Sequence, residues 1–297
     1  TLVITMQVNK VPFAETNAFS PFFLDYIEKK ETLAPFYHRF PTAGNFKDQI
    51  AEKKSSFPQI HRNVLADSLT RQYTGFSISS SVENNIESLR DASTFTVTTG
   101  HQLNIFTGPL YFIFKIITVI NTCRQLKIQY PEYNFVPVYW MASEDHDYEE
   151  IKYFKLYGKK YVWNTEQTGA VGRFNTKGLD TLVNEVPGET GIFREAYTKH
   201  QKLSAAVRHY VNALFGAEGL IVIDADCQDL KALFKNVIRE DVLNNVTRKL
   251  VDKTNNSLET LGYKVQVFCR EINFFYLADG IRSRIEQHGD QFKVLDT

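Results

Sequence analysis

The 297 residues carry 34 basic and 34 acidic side chains and are 43% apolar, which allows one large domain or two ordinary ones around a sizeable core. A formal charge of zero gives no reason to expect a nucleic-acid surface or an anionic membrane as partner. Cys123, Cys227 and Cys269 are odd in number and far apart, with neither zinc spacing nor a disulfide framework, so a reducing cytoplasm and cysteines packed as small apolar residues are expected.

The opening "TLVIT" precedes Met6 and lacks the basic start and apolar centre of a secretory leader, so no signal peptide is expected there. Residues 6–94 read as a helical region. In "SPFFLDYIEKK", Ser20 is placed to cap a helix that has Pro21 at its first position. "NFKDQIAEKK", "RNVLADSLTRQY" and "SSSVENNIESLRDA" have the pattern of further amphipathic helices.

The character changes at Phe95. "FTVTTG" is a short β-rich run ended by Gly100. Gly108 and Pro109 then open a helix, and apolar residues at 110, 113, 114, 117 and 120 keep helical spacing, so this helix is expected to be almost wholly buried. Its most apolar part, Leu110 to Ile120, contains Lys115 and is too short to span a bilayer. "FVPVYWMAS" follows as a nearly continuous apolar run of the kind buried on both faces of a parallel sheet. The third such run is "GLIVIDAD", residues 219–226, with one helix expected over "CQDLKALFKNVIREDVLNNV". The pattern predicts an α/β fold: a parallel sheet core from 95–158 and 217–262, interrupted by an insertion at 159–216. The last segment, 263–297, has turn signals at Asp279-Gly280 and His288-Gly289 and reads as an antiparallel β meander.

Ligands of open α/β sheets bind outside the carboxyl ends of the strands. Those ends carry Thr98, Thr99, Gly100, His101 and Gln102 after the first run, Ser143, Glu144, Asp145, His146 and Asp147 after the second, and Asp224 and Asp226 after the third. Their convergence into one cleft is the main sequence argument for a site. Each has a plainer reading beside it. Gly100 and Gly108 suit simple turns, His101 suits a cap or a packing position, and "SEDHDYEE" suits an acidic helix start. Neither common nucleotide fingerprint, GxGxxG or GxxxxGK[ST], is present. The acidic cluster at 144–147 is local and predicts no metal site.

"TTGHQLNIFTGPLYFIFKI", "VPVYWMASEDHDYEEI", "LIVIDADCQDLKALF" and "YKVQVFCREINFFYLADGIRSRI", in that order, resemble the family of the cysteine-adding enzyme of bacillithiol biosynthesis, BshC. The resemblance covers nearly the whole chain, and the pairing of "TG[QH]Q…TGPLY" with "W.A[SG]EDHD" is very specific. It implies a Rossmann-like core related to class I aminoacyl-tRNA synthetases and nucleotidylyltransferases, with a connecting-peptide type of insertion. It also implies continuation beyond the meander into the rest of the core and a coiled coil that makes a homodimer. The implied reaction joins L-cysteine to the amine of glucosaminyl-malate. Residues 98–101, "TTGH", stand where synthetase-like enzymes keep an HxGH motif; Gly100 and His101 agree with it and Thr98 replaces its first histidine.

Amide formation from a free carboxylate needs activation, so ATP is expected, with Mg at most as its companion. The substrate- or nucleotide-binding candidates are Thr99, Gly100, His101, Gln102, Thr107, Gly108, Ser143 and Asp224. The catalytic candidates are Glu144, Asp145 and His146, to hold the cysteine amine, orient the amino sugar or take its proton. The rival readings are a nucleotidylyltransferase-like enzyme and a non-catalytic small-molecule binding domain.

Overall fold

The computed structural model describes residues 9–295; residues 1–5, and the outer ends of the two terminal segments at 6–8 and 296–297, lie outside the described residues. Helix α1 (Pro21–Ile27) starts as its sequence dictates, with the Ser20 hydroxyl accepting from the Phe23 N–H and proline at the first position. Helices α2 (Asn45–Ser56), α3 (Gln59–Gln72) and α4 (Ser80–Ser88) follow, the last capped by Ser79. Buried Arg62 of α3 donates to the carbonyls of Leu89, Asp91 and Thr94, fixing where the chain enters the sheet.

Strand β1 (Thr94–His101), helix α5 (Leu110–Gln129) and strand β2 (Asn134–Met141) form the expected β-α-β unit. β1 and β2 are parallel, in register from Thr94↔Asn134 to His101↔Met141. After the short helix α6 (Tyr148–Ile151), strands β3 (Tyr153–Leu156) and β4 (Lys159–Val162) make an antiparallel hairpin. Its turn puts both Tyr157 (φ 50°) and Gly158 (φ 79°) in the left-handed region, as a type I′ turn requires. That hairpin was not anticipated from the Tyr- and Gly-rich sequence. Helices α7 (Leu179–Glu185), α8 (Gly191–Lys199) and α9 (Leu203–Phe215) lead to strand β5 (Ile221–Asp224), which pairs parallel to β2 from Val138↔Ile221 to Met141↔Asp224. The sheet order β1-β2-β5 makes β2 the central strand, which is why its sequence is apolar almost throughout.

The helix expected after Cys227 is three: α10 (Gln228–Ala232), α11 (Lys235–Asn244) and α12 (Val246–Thr260). Asn245, at φ 50°, is the break between the last two. Residues 263–274 form no strand despite their alternation. Strands β6 (Phe275–Ala278), β7 (Ile281–His288) and β8 (Gln291–Val294) make the meander, turning where the two glycines predicted.

Helix α5 corrects an expectation. Its buried residues are Phe112, Ile116, Val119, Ile120, Cys123 and Leu126, whereas Leu110, Tyr111, Phe114 and Ile117 are exposed. The helix is apolar nearly all round, so helical spacing could be drawn through more than one face. The stripe at 110, 113, 114 and 117 lies largely on the wrong one. The sheet takes the neighbouring stripe, while α3, α4 and α9 close over β5.

Candidate functional site

Two strand mouths, one at the end of β1 and one at the end of β2, hold the predicted residues, and they differ in construction. At the first, Phe106, Thr107 and Gly108 all have positive φ, at 51°, 67° and 60°. Only the last is a glycine, and a Cβ there would stand 2.4 Å from that of Asn104. Such a run persists only where its surroundings over-determine it. Tyrosines supply that constraint: Tyr197 of α8 accepts from the Phe106 N–H at 2.9 Å, and Tyr210 of α9 donates to the Asn104 carbonyl at 2.9 Å. Asn104 in turn donates to the Glu150 carbonyl. The insertion therefore clamps the loop that leaves β1.

His101 packs against Tyr111 and Phe112, and its Nδ1 accepts from the Gln102 N–H at 2.8 Å. Burial, then the Lys115 charge, lowers its pKa and keeps the ring neutral. With Nδ1 accepting, the proton belongs on Nε2, which is buried and lacks a partner among the described residues. The Lys115 ammonium meets the Gly100 carbonyl. His101, Gln102, Gly108 and Glu150 line a cleft of about 500 Å³.

The second mouth is charged. Ser143, almost wholly buried, donates to Asp224 at 2.5 Å, and the same carboxylate oxygen accepts from the Asp226 N–H. Gln72 holds the Asp224 backbone from both sides, accepting from its N–H and donating to its carbonyl. Gly172 approaches closely enough to donate to the Ser143 carbonyl, where an added Cβ would meet Ser143 at 2.4 Å. Ser143 and Asp224 thus brace the mouth from within.

Outside that brace stand the ion pairs. Arg173 grips Asp226 through Nε and Nη2 at 2.5 and 2.9 Å, and Lys231 bridges Asp226 to Glu144 at 2.5 and 2.7 Å. Burial alone would raise the Asp226 carboxyl, but Arg173 and Lys231 hold it at about 2. Burial lowers Lys231, yet its two carboxylate partners raise it above the ordinary lysine value, so it stays charged. Burial likewise raises Asp145, and hydrogen bonds from Asp147 N–H, Gln102 and His146 outweigh it and leave it below the ordinary carboxylate value.

His146 is exposed, and its Nδ1 lies 3.1 Å from Arg282 Nη1 and 3.4 Å from Asp145 Oδ1. These two neighbours ask for opposite protonation. Arginine can only donate and lies nearer, so Nδ1 accepts and Nε2 carries the proton. Arg282 is fixed over the Phe275 ring at 3.7 Å.

The single cleft expected from the sequence is divided. His101, Gln102 and Gly108 line one cavity, Ser143, Glu144 and Asp145 another of about 300 Å³, and His146 a third. The reason is that the His101 ring lies against α5, while residues 143–146 run on beyond the sheet toward the meander. A Gln102–Asp145 hydrogen bond at 3.4 Å links the first two, and Arg282 walls both of the others. Thr99 lies on β1, and Thr107 in the clamped loop.

Sequence reasoning missed Arg173, Lys231 and Arg282. Arg173 and Arg282 follow glycine turns, which is the only local signal, and nothing in the spacing shows where the turns deliver them. One delivery device is visible in the structure: Gly169 (φ 92°) packs on the Gly280 backbone, where a Cβ would stand 2.8 Å away, and Thr168 donates to the Gly280 carbonyl. The described residues contain no cluster of metal-ligating side chains and no helix long and apolar enough to cross a membrane.

Residues 6–297 match the family described as bacillithiol biosynthesis BshC, N-terminal Rossmann-like domain. Proteins named "Putative cysteine ligase BshC" are 44% identical in Flavobacterium johnsoniae, 41% in Cytophaga hutchinsonii and 29% in Natranaerobius thermophilus. The alignments cover 98%, 98% and 97% of this chain but 57%, 55% and 57% of those relatives, so the chain spans a little over half their length.

Proposed function

This chain belongs to the BshC family, and from that premise we propose that it carries the site at which L-cysteine is joined to the amine of glucosaminyl-malate, the amide-forming step of bacillithiol synthesis. The observation that carries the reading is the second strand mouth, where Glu144, Asp145 and His146 meet Lys231 and Arg282 at the end of the central strand. Open α/β sheets bind ligands at such a place.

ATP, when bound, would supply activation of the cysteine carboxylate, with Mg as its companion. Among the described residues the buried Nε2–H of His101 has no partner; such a donor suits an anionic oxygen and favours that use of the first mouth. Asp145 stays ionised and accepts hydrogen bonds, so it suits holding an ammonium group better than removing a proton near neutral pH. Glu144 is the more exposed carboxylate, placed to take the proton that the attacking amine loses when the C–N bond forms, and the Nε2–H of exposed His146 is placed to donate to the substrate. A cytoplasmic setting and a homodimer belong to the same proposal.

The test is to incubate the complete gene product with L-cysteine, glucosaminyl-malate and ATP and follow bacillithiol by mass spectrometry. Bacillithiol with stoichiometric ADP or AMP is expected. Pyrophosphate exchange without amide would favour a nucleotidylyltransferase, and neither product a binding domain.

A further inference from the structure

Beside the second mouth lies a pocket of about 470 Å³ whose charged walls are all of one sign. Arg270, Arg282 and Arg284 line it together with His146, and no acidic side chain does. Arg282 and Arg284 are two residues apart on β7 and so project from the same face. Among the described residues none of the three arginines has an ion-pair partner, whereas Glu144 and Asp226 are each paired with another cation. Burial lowers the Arg282 pKa, the charges of Asp145 and Glu144 oppose that, and the Arg270 charge repels it. Guanidinium groups gathered around one pocket repel one another, an anion inside it would relieve that, and their planar donor forks match carboxylate or phosphate oxygens. Arg282 is also a wall of the cleft of Ser143, Glu144 and Asp145.

We infer that Arg270, Arg282 and Arg284 form an anion pocket that grips a dianionic group, a dicarboxylate or a phosphate, of a molecule whose other end reaches Glu144 past Arg282. His146 closes the pocket on the side of the acidic cluster, with its Nδ1 engaged by Arg282. The inference rests on the reading of the second mouth as a substrate site. Binding of the anion itself can be measured whether or not an amide is made.

The experiment is calorimetric titration of the complete gene product with malate and, separately, with inorganic phosphate, repeated on Arg270→Ala/Arg284→Ala. At least one probe should bind, and the double variant should weaken it by at least about tenfold, since hydrogen bonds to charged partners are among the stronger ones. Loss confined to malate assigns the pocket to a dicarboxylate, and loss confined to phosphate assigns it to a phosphoryl group. Loss of both supports a shared anion site. Arg284→Gln, at an exposed strand position, gives the same reading if the double variant does not fold. Wild-type protein that binds neither probe, or a folded variant that binds both as tightly as wild type, overturns the inference. Bacillithiol assays run alongside keep the two ideas apart: anion binding without amide sinks only the ligase reading, and amide without anion binding sinks only the pocket.

Discussion

The two strand mouths sit side by side on one parallel sheet, yet the first is clamped by buried tyrosines and holds a neutral histidine, while the second is laced with ion pairs. Both are rigid for different reasons. The loop after β1 is held by hydrogen bonds from a separate segment, which forces three residues into left-handed backbone. The end of β2 is held by a buried Ser143–Asp224 bond and then by charges that leave Glu144 and His146 accessible. The first region is fixed by its clamp, and the accessible charges belong to the second.

The largest effect should come from removing chemistry at the second mouth while leaving its brace intact. Asp145→Asn and His146→Ala should each lower bacillithiol formation by about 100-fold or more, the scale of a lost acid–base or charge-holding group, with a melting temperature close to wild type. Activity within twofold of wild type in both would reverse the division of labour between the mouths. At the first mouth the same kind of change should act on stability. Tyr210→Phe and Tyr197→Phe leave the Asn104 carbonyl and the Phe106 N–H buried without partners, each costing about 1–3 kcal/mol in denaturant unfolding. Unchanged midpoints would mean that the loop is held by packing alone.

Acid should separate the mouths more gently. The folded Asp226 carboxyl lies at about 2 against an ordinary value of 3.8, so its contribution is complete above the higher value and is lost as pH falls toward the lower. Stability between about pH 4 and 2 should therefore fall less steeply in Asp226→Asn than in wild type, and parallel curves would show that the Arg173 and Lys231 pairs contribute little. The smallest effect concerns the helix behind the first mouth. Ile117→Asp, on the exposed face of α5, should change stability by only about 0.5 kcal/mol, while Ile116→Asp on the buried face should cost several. Equal losses would restore the wholly buried helix expected from sequence.

That last pair shows what the sequence made legible. The three parallel strands could be found because each β-rich or apolar run stops abruptly, at Gly100, Ser143 and Asp224. Helix α5 could be found by its spacing, but not its buried face, because Leu110, Phe114 and Ile117 are as apolar as Phe112, Ile116 and Val119. The acidic half of the second mouth comes from two short stretches, 144–147 and 224–226, each directly after an apolar run, and could be read directly. Its cationic half is contributed by Arg173, Lys231 and Arg282 from three distant segments, and only tertiary packing brings those together. The clamping tyrosines were hidden for the same reason, lying in helices of the insertion.

The contact between Gly169 and Gly280 works as a spacer of fixed thickness. Two backbones touch there without side chains between them, in the turn that opens β7, two residues before Arg282. The backbone position from which Arg282 reaches His146 is thereby gauged by bare main chain, a dimension that no rotamer change at the contact can adjust. In a saturation mutagenesis of the whole gene, position 169 should consequently stand out as a surface-turn position that accepts glycine alone, and survivors there should be sought among compensating changes near residue 280, not among neighbours in sequence.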